Sequence, residues 1–169
     1  MELIVAVGII GILAATGAAI FFRSLRGSSQ TEIRQTLDGR VRLITSSLSR
    51  FLLEGEIYSL DSTDRVNCLS TGQISGNSLE VVGLDNLTSV ISESGGKISS
   101  VSGVTVVINP ESVTVSHKTG LGYYFIWYCG RGVPDRLLMK FSATYLGQQG
   151  DTGVSGDYDI EVTMRNSGQ

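Results

Sequence analysis

Leu3 to Phe22 reads LIVAVGIIGILAATGAAIFF and carries no charge. As a helix rising 1.5 Å per residue it spans about 30 Å, the thickness of a bilayer's hydrocarbon core. Arg23 and Arg26 end the run. A cleaved secretory signal would start basic, hold a shorter apolar core and close on a small-residue cleavage site. The segment shows none of these, so it reads as a retained membrane helix. Glu2 stands at its edge. Taken alone, Glu2 fits a helix-start carboxylate favoured by the macrodipole, or a functional acid at the membrane.

Charge placement raises a conflict. The basic residues near this helix, Arg23, Arg26 and Arg34, all follow it. The positive-inside rule would then leave the rest of the chain in the cytoplasm. The cysteines, Cys68 and Cys129, argue the other way if they pair, because disulfides persist in oxidising compartments. Their number and spacing fit no zinc pattern. Two readings stay open at this point: two unrelated buried thiols, or one disulfide closing a long loop. The net charge of −3 shows no basic stripe, so composition does not point to nucleic acid as a partner.

The run from Glu2 through Leu-Ile-Val-Ala-Val-Gly-Ile-Ile-Gly-Ile-Leu-Ala to Ala15 resembles the class III signal region of type IV pilins and type II secretion pseudopilins. In those families a cleavage-site Gly leads through Phe-Thr-Leu-x-Glu into such a helix. Glu2 falls on the family glutamate, Gly11 on its helix glycine, and Met1 on the variable residue before the glutamate. The resemblance implies that Met1 is internal to a precursor with a short basic leader, which would also repair the charge asymmetry. It implies that Glu2 pairs with the N-terminal amine of a neighbouring subunit and so sets axial register. It implies a prepilin peptidase and an assembly machinery as partners. The chain departs from the family at Ala19, near which many pilins carry a proline.

The residue types suit assembly. Between helices in hydrocarbon there is no hydrophobic drive, so close packing and polar pairing hold them together. Gly8, Gly11, Ala14, Gly17 and the neighbouring alanines permit close approach. A buried carboxylate such as Glu2 needs a partner.

Gly27-Ser28-Ser29 is expected to interrupt or bend the helix. Beyond it, Ile33, Leu37, Val41, Ile44, Leu48 and Phe51 recur at helical spacing, which predicts an amphipathic helix from Thr31 to about Leu53, ending before Gly55. Its apolar stripe should be covered by a sheet. From Leu60 the pattern changes to turns and short strands. Strands are expected at Leu79–Val82, Lys97–Val101, Val104–Ile108, Ser112–His117, Tyr123–Cys129, Leu137–Tyr145 and Tyr158–Met164. Asn109-Pro110-Glu111-Ser112 reads as a hairpin turn. Tyr123–Tyr128 is the most apolar strand and should be central, and Cys129 at its end would tie the sheet to a Cys68 connection rich in Ser, Thr, Gly and Asn. Gly147–Gly156 reads as an exposed loop.

Chemical motifs are sparse. His117 is the one histidine and reads as a solvated strand-end side chain. No Gly-x-Ser-x-Gly elbow, P-loop or dinucleotide fingerprint occurs. Asp151, Asp157 and Asp159 are weak candidates for calcium, without EF-hand spacing. Asn86-Leu87-Thr88 matches a glycosylation sequon. The aromatic run Tyr123 to Tyr128 reads as sheet core.

The expected fold is α+β: a long N-terminal helix, with a hydrophobic and an amphipathic half, packed on an antiparallel β-sheet head. The parts are residues 1–26 for the apolar helix, 27–56 for the amphipathic helix and 57–169 for the head. The expected role is a non-enzymatic pilus subunit that copies of itself bury in a helical filament. The chain would sit in the cytoplasmic membrane before assembly and on the cell surface afterwards, serving adhesion, motility or DNA uptake. A pseudopilin or minor pilin is the runner-up. A monomeric membrane-anchored binding domain is the rival of another class.

Overall fold

The computed structural model describes residues 2–145 and 153–165, with side chains at all of them except 2–5, 25, 26, 29 and 30. One helix, α1, runs Glu2–Glu54. It continues through Gly27-Ser28-Ser29, so the expected interruption is absent. Three short, flexible residues lower helix propensity by only about 1 kcal/mol at the glycine, too little to end a long helix. The chain falls into two compact units, Met1–Thr36 and Leu37–Gln169.

In the first unit the described apolar side chains are exposed. Thr16 lies among them, and its hydroxyl donates to the Ile12 and Leu13 carbonyls at 3.0 Å each. The helix thereby satisfies its own hydroxyl, as a segment in hydrocarbon must.

The second unit, the head, begins with the rest of α1. Leu37, Val41, Ile44, Leu48 and Leu52 are buried. Phe51, expected in this stripe, lies outward instead, because the step that keeps phase after Leu48 is four residues, not three. Ile33 belongs to the first unit and is half-buried. The helix stops at Glu54, and the next residue packs so closely that a Cβ on Gly55 would come within 2.5 Å of Val81 Cγ1.

Eleven strands and a short helix follow. They are β1 (Glu56–Leu60), β2 (Thr63–Asp64), α2 (Arg65–Thr71), β3 (Gln73–Gly76), β4 (Ser78–Val82), β5 (Thr88–Ser94), β6 (Lys97–Ser102), β7 (Val104–Val107), β8 (Val113–His117), β9 (Phe125–Tyr128), β10 (Arg136–Tyr145) and β11 (Val154–Thr163). One sheet has the order β2-β1-β4-β5-β6-β7; the other runs β11-β10-β9-β3, with β8 also on β10. Every pairing is antiparallel. Apolar residues of both sheets join the α1 stripe in one core. The fold is therefore α+β, as expected, and β9 lies between β10 and β3, the central place its apolar character suggested.

Asn109-Pro110 does not make a hairpin. β7 pairs with β6, whereas β8 pairs with β10 in the other sheet. Asn109 is buried and works as a splice between sheets. Its Oδ1 accepts from Ile98 N at 2.7 Å, and its Nδ2 donates to the Val113 carbonyl at 2.6 Å. A buried amide so fully bonded specifies a sheet crossing rather than a turn back.

Cys68 lies on α2, not in an irregular connection. Asp64 caps this helix by accepting from Asn67 N, and Gly72 ends it in a left-handed conformation. β11 starts at Val154, four residues before the expected Tyr158. The ladder with β10 runs on to Tyr145↔Val154, so residues 154–156 are strand rather than loop. Gly156 permits this, since a Cβ there would lie 3.1 Å from the Tyr158 hydroxyl. The rest of the expected loop, residues 147–152, lies outside the described residues.

Cys68 and Cys129 form a disulfide, with Cα atoms 5.8 Å apart. It ties α2 to the end of β9, where Cys129 N also donates to the Gly72 carbonyl at 3.1 Å. Nearby, Asp135 is 1% exposed and accepts from Arg65 Nε at 3.1 Å and from Trp127 Nε1 at 3.2 Å. The Asp135 hydrogen bond holds the Arg65 guanidinium above its usual range, against some burial.

At the surface, the Tyr158 hydroxyl donates to Asp38 Oδ1 at 2.7 Å, joining β11 to α1. Burial, and then that bond, push the Tyr158 phenol up to about 12. A phenol raised above its ordinary value of about 10 adds stability below that value, and the gain is lost as pH rises through the folded value. An ultraviolet tyrosinate titration should therefore show a late step near pH 12. Tyr158→Phe should remove that step and destabilise the head by about 1 kcal/mol in urea.

Candidate assembly surface

The surface begins at Glu2, the first residue of α1. Its side chain lies outside the described ones. From Ala6 to Ser24 the helix is long and apolar enough to cross a membrane. Side chains on every side of it are open: Ile12 is 67% exposed and Ile20 is 70% exposed, and Val7, Ile9, Ile10, Leu13, Phe21 and Phe22 are similarly bare. A helix apolar all round is stable only when something covers all of it. Among the described residues nothing does.

The glycines sharpen this. A Cβ added at Gly8, Gly11 or Gly17 would meet nothing within 4 Å. Each glycine costs a helix about 1 kcal/mol relative to alanine. No contact among the described residues requires them, and Ala14 is exposed between them. Together they leave shallow notches beside the large residues, the arrangement that lets another helix approach closely.

The residues weighed as chemistry make the following contacts. His117 is exposed, stacks on the Tyr124 ring at 4.1 Å between centroids, and places Nε2 3.1 Å from Asn77 Oδ1. Burial, then the Glu93 carboxylate, push the Tyr124 phenol up. Phe125, Ile126 and Trp127 are buried in the sheet, so the aromatic run is core. Asp159 is held by Lys118 at 2.9 Å and Lys140 at 3.6 Å, and Asp157 accepts from Ser142 at 2.6 Å. The Lys118 hydrogen bond keeps the Asp159 carboxyl below its usual range. Asp151 lies outside the described residues, and no group of three metal-ligating side chains occurs among those described. Sequence reasoning did not single out Asp135 or Asp38. The Arg65 that opens α2 and the Trp127 of β9 carried no local signal of a shared carboxylate.

No family model, curated protein or solved structure matches the chain.

Proposed function

We propose that this chain is a structural subunit of a type IV pilus-like filament, held in a membrane before assembly and polymerised through the first unit of α1. The observation that carries this reading is an apolar helix exposed on all sides, notched by glycines that no packing among the described residues uses. Lipid covers such a helix in the membrane; neighbouring copies cover it in a filament. The resemblance around Glu2 supports the second state. The disulfide supports a head on the oxidising side of the membrane.

The test is assembly itself. Electron microscopy of cell-surface material from the producing cells should show filaments made of this chain. Glu2→Ala should abolish them while the chain still accumulates in the membrane with its disulfide intact. A monomeric anchored domain would tolerate the same substitution, and filaments unchanged by it would overturn the proposed register role.

A further inference from the structure

The turn between β4 and β5 spans Gly83 to Leu87 and is tightly built. Gly83 N donates to the Leu87 carbonyl and Asn86 N to the Gly83 carbonyl, each at 3.0 Å, and Leu87 N donates to Asp85 Oδ1 at 3.1 Å. Asn86 takes the left-handed conformation, φ 59°, which Asn adopts more readily than most residues. Its side chain is exposed and makes no hydrogen bond among the described residues. The amides of Asn67, Asn77 and Asn109 are all engaged, with Asp64, with the Gly122 carbonyl and with the Val113 carbonyl. Two residues on, Thr88 opens β5, exposed and with an unengaged hydroxyl.

Asn86-Leu87-Thr88 is the only Asn-x-Ser/Thr sequence in the chain with a non-proline middle residue. A second observation converges on the same turn. Leu84 is 73% exposed and Leu87 56% exposed, beside a shallow cleft of about 300 Å³ lined by Phe51, Glu54, Gly55, Gly83, Leu84 and Asp85. Leu84 and Leu87 bracket Asn86 in the same turn, and Leu84 shares the cleft with Phe51.

We infer that Asn86 is an N-glycosylation site, and that the attached glycan lies over the rim formed by Leu84, Leu87 and Phe51. The donor is a lipid-pyrophosphate-linked oligosaccharide. Asn86 Nδ2 attacks the anomeric carbon and a C–N bond forms. The bond from that carbon to the pyrophosphate oxygen breaks, its electron pair leaves with the lipid pyrophosphate, and the amide gives up one proton. The acceptor must be exposed and exported, as the sequon's usual setting requires. The inference needs the head on the exported side and does not depend on polymerisation.

Intact-mass and glycopeptide analysis of the chain purified from the cells that produce it tests this. The peptide containing Asn86 should carry an added sugar mass. Asn86→Gln and Thr88→Ala should each remove it, and Thr88→Ser should keep it. Disulfide formation in all three variants shows that they fold. An unmodified Asn86 peptide, or a sugar that persists in the Thr88→Ala variant, overturns the inference. Filament loss in Glu2→Ala with the Asn86 sugar retained leaves it standing, so its failure and that of the assembly reading are distinguishable.

Discussion

Asp135→Ala should destabilise the head by about 2–3 kcal/mol, the cost of leaving a buried indole N–H unsatisfied and a partly exposed guanidinium without its carboxylate. The carboxylate is 1% exposed and accepts from Arg65 and from Trp127, residues far apart in the chain. Removing it strands the Arg65 guanidinium and leaves the Trp127 indole N–H, on a fully buried ring, without the acceptor that holds it. Urea denaturation of the full chain in detergent measures the loss. Trp127 is the one tryptophan, so its fluorescence reads the site directly. Asp135→Asn keeps an acceptor for the indole and loses the charge. It should cost less than the alanine variant. Equal losses would place the energy in the ion pair and none in the indole bond.

Removing the disulfide should cost about 4 kcal/mol, since a bond across a sequence separation of 61 residues restricts the unfolded chain strongly. Urea midpoints of the chain with and without reductant, and of the Cys68→Ser/Cys129→Ser double variant, measure it. The two routes should agree, because both remove the same constraint. Free-thiol labelling of the unreduced chain should find none. Labelling at either cysteine before reduction would contradict the bond.

The parts legible in the sequence are those where one physical signal acts alone. The Leu37, Val41, Ile44, Leu48 stripe keeps helical phase, and these residues are buried. β9 was visible because Phe125, Ile126 and Trp127 leave no polar face. The elements that escaped notice mix signals. β5 reads Thr-Ser-Val-Ile-Ser-Glu-Ser; its serines look like loop, yet Ser92 and Ser94 lie on the outer face of a strand and Ser89 is buried beside Ile91 on the inner one. β1 and β2 meet at Asp61-Ser62, both with positive φ and neither a glycine, so the usual two-residue turn signature is missing. α2 contains few strong helix formers and rests on its caps at Asp64 and Gly72. Asn109-Pro110 has turn composition, and only the partners of the buried amide decide between a hairpin and a crossing. In the candidate surface, the glycines were legible as small residues. That no contact among the described residues needs them was visible only in three dimensions.

The two sheets differ in how far apart in the chain their partners lie. β4, β5, β6 and β7 pair each with the next, through short turns, so much of the first sheet can form from local encounters. The second sheet sets residues 73–76 beside 125–128, and it has to enclose the first sheet's segment as a loop. Loop closure makes such pairing slow to nucleate. Cys68 and Cys129 flank that β3–β9 pairing, so their correct meeting follows the slow step. The covalent bond therefore acts as a latch on a completed sheet rather than as a guide toward it.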